Sequence, residues 1–164
     1  MNDTHDTARQ WIAHARDAGV SARLEAIYAG VAREIEARAP ACWASGRCCN
    51  FDKAGHLLYV TGLEAAYTLV RHAKGGVEAA RSGVVTLTQA KRADCPFLIG
   101  NTCGVHTIKP LGCRVYFCDR SARVWQEDLT ERAMREIRGL HDEAGIEYAY
   151  AEWRTLLAMV AAAL

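Results

Sequence analysis

The feature that most constrains this chain is the density of cysteine between Cys95 and Cys118, in the stretch CPFLIGNTCGVHTIKPLGCRVYFC. Four of the chain's seven cysteines lie in this stretch, and the other three lie upstream in ACWASGRCCN. Burial as structural thiols explains one or two cysteines well, but it explains poorly four that are interrupted by glycine, proline and turn residues. Thiolates are soft ligands that suit zinc and iron–sulfur clusters. The two segments therefore predict one shared metal or iron–sulfur site.

Length and composition are those of one soluble domain over residues 1–164, with 51% hydrophobic and 24% charged residues. Twenty basic and nineteen acidic residues give a net charge of +1, so we expect neither a nucleic-acid nor a membrane partner. The polar N-terminus lacks the apolar core of a secretory signal, which favours a cytoplasmic protein. Disulfides are disfavoured there, and clustered cysteines more often bind metal. A small-molecule or protein partner stays unspecified.

Apolar residues recur at helical spacing on both sides of the cysteines, which predicts flanking helices over residues 6–39 and 128–163. In the first range, Gly19 is expected to end one helix and Ser21 to cap the next. The last helix is expected over residues 148–163. The predicted fold is therefore mostly α, a single helical domain with a small irregular insert of β-hairpin and loop that carries the cysteines.

Local patterns predict how the insert joins these helices. Thr61-Gly-Leu-Glu64 is a capping box, in which the Thr61 hydroxyl accepts from the Glu64 N–H and the Glu64 carboxylate reaches back. Asp128-Leu-Thr-Glu131 has a similar pattern and predicts a second helix start. Gly100-Asn101 predicts the turn of a hairpin. Further short elements are expected over residues 56–60, 77–82, 84–88 and 114–117.

The cysteine spacings leave the identity of the metal open. No C-x-x-C pair is present, so the pattern matches neither a common zinc finger nor the bacterial ferredoxin run. Adjacent residues in extended chain point to opposite faces, so Cys48 and Cys49 can bind one centre only if the backbone turns there. Gly46 makes such a turn easy. Otherwise one thiol ligates while its neighbour packs or serves redox chemistry, or the pair serves two metals.

The segments GRCCNFDKAGHLLYVTGLEAAYTL, CPFL, CGVH and KPLGCRVY together resemble the YkgJ-like cysteine-cluster family, which is described as a zinc- or iron-chelating domain. The pattern of that family is C-x-x-C-x-x-C-C, a strand and a T-x-x-E helix, and then CPFL followed by C-x-[IV]-[YH]-x-x-[RK]-P-x-x-CR. The similarity covers about residues 42–118. Cys42, Cys48 and Cys49 match the first motif, and Ser45 stands where the family has its second cysteine.

Several later motifs agree with the family in the same order. The matched positions are Thr61, Glu64, Cys95, Pro96, Phe97, Leu98, Cys103, Lys109, Pro110, Cys113 and Arg114. The resemblance implies metal chelation and does not fix a reaction. The serine at position 45 implies that this position and Cys42 are peripheral to the site.

We therefore predict a cysteine-ligated centre, with a [4Fe–4S] cluster favoured over zinc because thiols are abundant and histidines are not organised as ligands. Such a cluster would suit an oxidoreductase or a cluster-dependent modifying enzyme. The alternatives are a structural zinc module for protein interaction and a thiol-redox or metal-handling protein. The expected ligands are, first, Cys49, Cys95, Cys103 and Cys113, next Cys48 and Cys118, and last Cys42.

Two further residues are assigned to the surroundings of the centre. Arg114 is expected to bind the cofactor, because a cation beside Cys113 would stabilise thiolate or cluster charge. His106 is expected to pack or to donate a hydrogen bond beside the centre rather than to ligate.

Overall fold

Helices dominate the computed structural model, which describes residues 2–41, 47–74 and 94–164. The mostly α prediction is confirmed for these ranges. Two 3-10 turns, Arg47–Cys49 and Arg120–Ala122, accompany the α-helices. The α-helices within the described ranges are α1 (Asn2–Arg16), α2 (Ala18–Arg38), α3 (Phe51–Ala54), α4 (Gly62–Lys74), α5 (Leu111–Val115), α6 (Arg123–Ala144) and α7 (Trp153–Ala163).

Four short strands form two separate antiparallel pairs. They are β1 (Tyr59–Thr61), β2 (Leu98–Ile99), β3 (Thr102–Cys103) and β4 (Tyr150–Glu152). β1 pairs with β4, with Val60 opposite Ala151, and β2 pairs with β3, with Leu98 opposite Cys103. Gly100 adopts a φ of 61° in the turn between β2 and β3, which confirms the predicted hairpin.

The core lies where α1 packs against α4 and α7, while α2 packs against α6 and α5. Helices α1, α4 and α7 each bury an apolar face. Their buried residues include Ala8, Trp11, Ile12, Ala15, Leu63, Ala66, Tyr67, Val70, Trp153, Leu156, Leu157 and Val160. None of the helices in the described ranges combines the length and the apolar character that a membrane span requires.

The break between the first two helices differs from the prediction. It lies at Asp17, whose carboxylate accepts a hydrogen bond from the backbone N–H of Val20 at 2.8 Å and so caps α2. Gly19 and Ser21 both lie inside α2. The Ser21 hydroxyl donates instead to the Ala15 carbonyl at 2.8 Å. The prediction was wrong because aspartate is as effective a cap as serine and occurs earlier.

The predicted start of a helix at Asp128 is also wrong. Helix α6 begins at Arg123, so Asp128 lies within it and accepts a hydrogen bond from the Arg132 side chain one turn later, at 3.1 Å. The strand predicted over residues 114–117 is replaced in part by α5, which ends at Val115. A short polar motif does not fix a helix start when the preceding residues can also be helical.

The last helix begins at Trp153 rather than at residue 148, because the preceding segment forms β4 and pairs with β1. The Glu152 carboxylate caps this helix, accepting from the backbone N–H groups of Arg154 at 3.1 Å and Thr155 at 3.2 Å. The strand expected over residues 56–60 is shifted to Tyr59–Thr61. Several predicted features lie outside the described residues, namely Cys42, Ser45, Gly46 and the elements at 77–82 and 84–88.

Gly62 begins α4 directly against the indole ring of Trp11. A Cβ atom on Gly62 would overlap with the Cε2 and Cδ2 atoms of Trp11. The ring cannot easily move away, because it is fully buried and its N–H donates to the Glu147 carbonyl at 2.8 Å. We expect Gly62→Ala to lower the free energy of unfolding by about 1–3 kcal/mol through overpacking, as measured by urea denaturation.

Gly139, inside α6, is the matched control for this prediction. A Cβ there would meet nothing within 4 Å. Gly139→Ala should raise the free energy of unfolding by roughly 0.5–1 kcal/mol, because alanine loses less conformational freedom in a helix. Equal changes in the two variants would contradict the steric explanation.

Candidate metal centre

Five cysteines from separate segments of the chain, two of them adjacent, form one network of interacting thiols, which we call the cysteine cluster. Cys49 lies at its centre, because its thiol interacts with the thiols of Cys103, Cys48 and Cys95. Cys113 is half-buried and is affected by the charges of Cys95, Cys103 and Cys48. The structure therefore brings together the four leading predicted ligands and Cys48.

The first pair of cysteines is held by backbone contacts on both sides. Cys48 and Cys49 lie in the 3-10 turn Arg47–Cys49, and Asn50 then caps α3 by accepting from the Lys53 N–H at 3.1 Å. The Cys95 N–H donates to the Cys49 carbonyl at 2.7 Å. The turn supplies the bend that two adjacent cysteines need if both are to face one centre.

The hairpin and α5 position the remaining thiols. Cys103 ends β3, and the Gly104 N–H donates to the Phe97 carbonyl at 2.8 Å, which closes the hairpin over the residues that follow Cys95. Cys113 lies in α5, where its N–H donates to the Pro110 carbonyl at 3.1 Å. Each thiol is therefore carried by backbone with defined hydrogen bonding.

Glu64 links the start of α4 to the start of α5. Its side chain is 1% exposed and accepts hydrogen bonds from two backbone N–H groups, Thr61 at 2.9 Å and Leu111 at 2.8 Å. It also accepts from the hydroxyls of Tyr28 and Thr61, both at 3.0 Å. The predicted capping box is confirmed, since the Glu64 N–H donates to the Thr61 hydroxyl at 3.3 Å.

The contacts of Glu64 with Leu111 and Tyr28 were missed by sequence reasoning. Pro110 could have indicated the contact with Leu111, because a proline at this position marks the start of a helix. The backbone N–H of Leu111, the first residue of α5, then has no partner inside the helix. A buried acceptor was therefore needed, and the Glu64 carboxylate supplies it at 2.8 Å. Cys113 lies only two residues after Leu111, so this contact holds the part of α5 that carries a thiol.

Electrostatics within the cysteine cluster separate the thiols into two classes. Hydrogen bonding from Cys49 lowers the pKa values of Cys48 and Cys103 to about 6, against the opposing effect of burial. The same contact lowers the pKa of Cys95. Contacts with these neighbours, Cys103 first, raise the pKa of Cys49, and burial raises the pKa of Cys113. A bound metal would therefore displace protons chiefly from Cys49 and Cys113.

Arg114 contacts the chain around the cluster rather than a described thiol. Its Nε donates to the Lys109 carbonyl at 2.8 Å and its Nη2 donates to the Thr107 carbonyl at 3.0 Å. The guanidinium carbon lies 4.0 Å from the centre of the Tyr28 ring, which is a cation–π contact. These contacts hold the loop between the hairpin and α5. The assignment of Arg114 to cofactor binding stays a prediction.

Lys109 and His106 form a basic pair at the edge of the cluster. The Lys109 Nζ lies 3.3 Å from the exposed His106 Nε2. Since a lysine ammonium can only donate, the imidazole nitrogen accepts in this contact. The Lys109 charge, with some burial, lowers the pKa of His106, and it also helps to lower the pKa values of Cys48 and Cys103.

Cys118 is the predicted ligand that the described contacts do not connect to the cluster. It is half-buried and lines a groove with Asn50, Tyr116 and Asp119. α5 ends at Val115 and the chain continues in an extended conformation at Tyr116, so Cys118 lies outside the helix that carries Cys113. Whether Cys118 ligates stays a prediction.

The fit of this site to a metal can be judged by its donors and by their arrangement. Within residues 2–41, 47–74 and 94–164, no three or more His, Cys, Asp or Glu side chains are arranged as a preformed ion-binding group. The gathered donors are nevertheless thiols, which are the ligands of zinc and iron–sulfur centres. A cysteine side chain turns about one torsion with three staggered positions, so thiols already in contact can rearrange around a centre. The donor chemistry therefore fits a thiolate-ligated centre.

Comparisons with known proteins leave the family open. No family model matches the chain, and searches of curated proteins and of solved structures found no match. The resemblance to the YkgJ-like cysteine-cluster family therefore depends on the quoted motifs alone.

Proposed function

We propose that this protein binds a metal centre through the cysteine cluster, with a [4Fe–4S] cluster as the leading candidate. The observation that carries the proposal is the interaction of the Cys49 thiol with the neighbouring Cys48 thiol and with two thiols from distant parts of the chain, Cys95 and Cys103. Gathering four or more thiols in one place has little value for packing, whereas a thiolate-ligated centre requires about four.

The number and kind of the donors support iron–sulfur chemistry. The cysteine cluster holds five thiols, Cys48, Cys49, Cys95, Cys103 and Cys113, one more than a [4Fe–4S] cluster requires. The nearby His106 is engaged with Lys109 at the edge of the site. When bound, a cluster would supply one-electron chemistry, which suits an oxidoreductase or a cluster-dependent modifying enzyme.

Zinc is the second candidate, and the interactions of Cys49 with three other thiols favour it. Four thiolate sulfurs that each lie about 2.3 Å from a single zinc ion are also in contact with one another. A four-iron core is larger and holds its ligands further apart. In the zinc form the centre would contribute folding energy, and the helices would serve as a surface for a protein partner.

The free cysteines also indicate the cellular compartment of the protein. The described cysteines, six of the seven in the chain, are free rather than paired in disulfides. Reduced thiols persist in a reducing environment. We therefore assign the protein to the cytoplasm.

Anaerobic purification followed by metal analysis and visible absorption spectroscopy tests the proposal. We expect brown protein that bleaches with dithionite and contains about four iron atoms per chain. Colourless protein with about one zinc per chain, which unfolds when a chelator is added, would instead support the second candidate. Folded protein that takes up neither iron nor zinc on reconstitution would contradict both candidates and favour a thiol-redox protein.

A further inference from the structure

His141 is a fully buried histidine in the last turn of α6. Its side chain is 0% exposed, and its Nδ1 atom lies 3.3 Å from the Ile146 carbonyl oxygen. A carbonyl oxygen only accepts, so Nδ1 carries the proton when the ring is neutral. The Nε2 atom is then an acceptor, and it has no hydrogen-bond partner in the described part of the chain. The packing therefore fixes one neutral tautomer of the ring.

The surroundings of the His141 ring disfavour a second proton. That proton would place an N–H on Nε2, and a buried donor without an acceptor is costly. The Tyr148 ring packs edge to face against His141 with 5.1 Å between centroids, and the Arg138 guanidinium carbon lies 4.2 Å from the centre of the same tyrosine ring. A charged imidazole would therefore lack an acceptor and would be repelled by a nearby cation.

Charged groups on the elements around His141 act in both directions. Burial lowers the pKa of His141 and the Arg138 charge lowers it further, while the backbone contacts and the charge of Glu64 in α4 oppose them. The remaining charged groups nearby are engaged in ion pairs at the surface, namely Asp142 with Arg138 at 3.3 Å and Glu143 with Arg23 of α2 at 2.6 Å. The pKa of the buried ring therefore lies below its ordinary value of 6.5.

Ile146 belongs to the connection between α6 and β4, residues 145–149, which is attached to α1. The Ile146 N–H donates back to the His141 carbonyl at 2.8 Å, so the two residues are joined by two hydrogen bonds. The next residue, Glu147, makes three hydrogen bonds of 2.8 to 3.0 Å with side chains of α1, namely those of Thr7, Gln10 and Trp11. His141 therefore helps to hold the segment through which α6 is attached to α1.

We propose that His141 makes the attachment of residues 145–149 to α1 sensitive to acid. While the ring is neutral, its Nδ1–H holds the Ile146 carbonyl and the connection stays on α1. When the connection opens, water can accept from Nε2, so the open state takes up one proton from solvent as the pH falls below the ordinary pKa of 6.5. The attachment is therefore complete at neutral pH and weakens below about pH 6.5. The inference does not depend on a metal centre.

Amide hydrogen exchange of the purified protein at about pH 7.5 and about pH 5.5 tests the inference. One pH unit below 6.5, proton uptake by the open state increases the open fraction about 10-fold. We therefore expect the Ile146 and Glu147 N–H groups to be about 10-fold less protected at the lower pH, after correction for intrinsic exchange rates. Their protection should also lie below that of amides within α2, because local opening requires less free energy than global unfolding.

His141→Asn removes the titratable ring and keeps a neutral N–H donor near the position of Nδ1. In this variant the protection of the Ile146 N–H should change by less than about 2-fold between the two pH values. His14→Asn, at a half-buried histidine of α1, is the matched control and should keep the change of about 10-fold. The Cys48 and Cys103 thiols, whose pKa values are about 6, titrate in the same range, but they do so equally in both variants.

A measurement on the ring itself does not depend on the stability of a variant. Long-range nitrogen–proton NMR spectra of the unsubstituted protein should show His141 as the neutral Nδ1–H tautomer at both pH values. A ring that carries its proton on Nε2, or that is protonated in the folded protein at about pH 5.5, would overturn the inference. So would an equal loss of protection in both variants. Protection of residues 145–149 equal to that of α2 would also overturn it, because the connection would then open only when the whole protein unfolds.

Discussion

Cys49→Ser is expected to reduce the bound metal to less than about a tenth of the unsubstituted level. Cys49 contacts three other thiols of the cysteine cluster, so no other single substitution removes as many of its contacts. Serine has nearly the same size but offers a hard oxygen that is not deprotonated at neutral pH, and soft metals prefer thiolate. The measurement is elemental analysis of anaerobically reconstituted protein.

Cys118→Ser is the matched control, because it makes the same chemical change at a half-buried cysteine without described contacts to the cluster. It should retain nearly all of the bound metal. Circular dichroism of both variants should give the helical spectrum of the unsubstituted protein. If Cys118→Ser loses as much metal as Cys49→Ser, the centre includes Cys118 and the cluster as defined here is incomplete.

The helices could be predicted from the sequence because their apolar residues recur with the helical period over several turns. Trp11, Leu63 and Trp153 are all buried at positions that this period indicates. The helix boundaries were less predictable, because Asp17 and Ser21 are both good N-cap residues and the sequence alone does not show which of them caps the helix. The strand β4 depends on its pairing with β1, some ninety residues earlier, which overrides the local helical pattern.

Part of the candidate site was predictable for a different reason. The density of cysteine indicates a common site regardless of how the chain folds, and the hairpin turn at Gly100 follows from local chemistry. The position of Cys118 outside the helix that carries Cys113 was not predictable, because it depends on α5 ending at Val115.

Glu64→Gln is expected to lower the free energy of unfolding by about 2–4 kcal/mol, measured by urea denaturation. All four side-chain contacts of Glu64 are with donors, on Thr61, Tyr28 and Leu111. Burial and the Glu64 charge raise the pKa of Tyr28, so its hydroxyl stays a donor. A glutamine amide therefore turns its NH₂ group toward two of these donors in either orientation, although it matches glutamate in size.

The same substitution should also weaken metal binding, because Leu111 precedes Cys113 by two residues in α5. Thr61→Ala serves as the control, since it removes a partner of Glu64 at the start of α4 and leaves the contact with Leu111 at 2.8 Å. In buffer without denaturant, where both variants are folded, Glu64→Gln should release metal to a chelator faster than Thr61→Ala. Equal release rates would mean that Glu64 stabilises the fold without positioning Cys113. Faster release of metal in Glu64→Gln alone would show that this buried carboxylate positions the Cys113 thiol through its contact with Leu111.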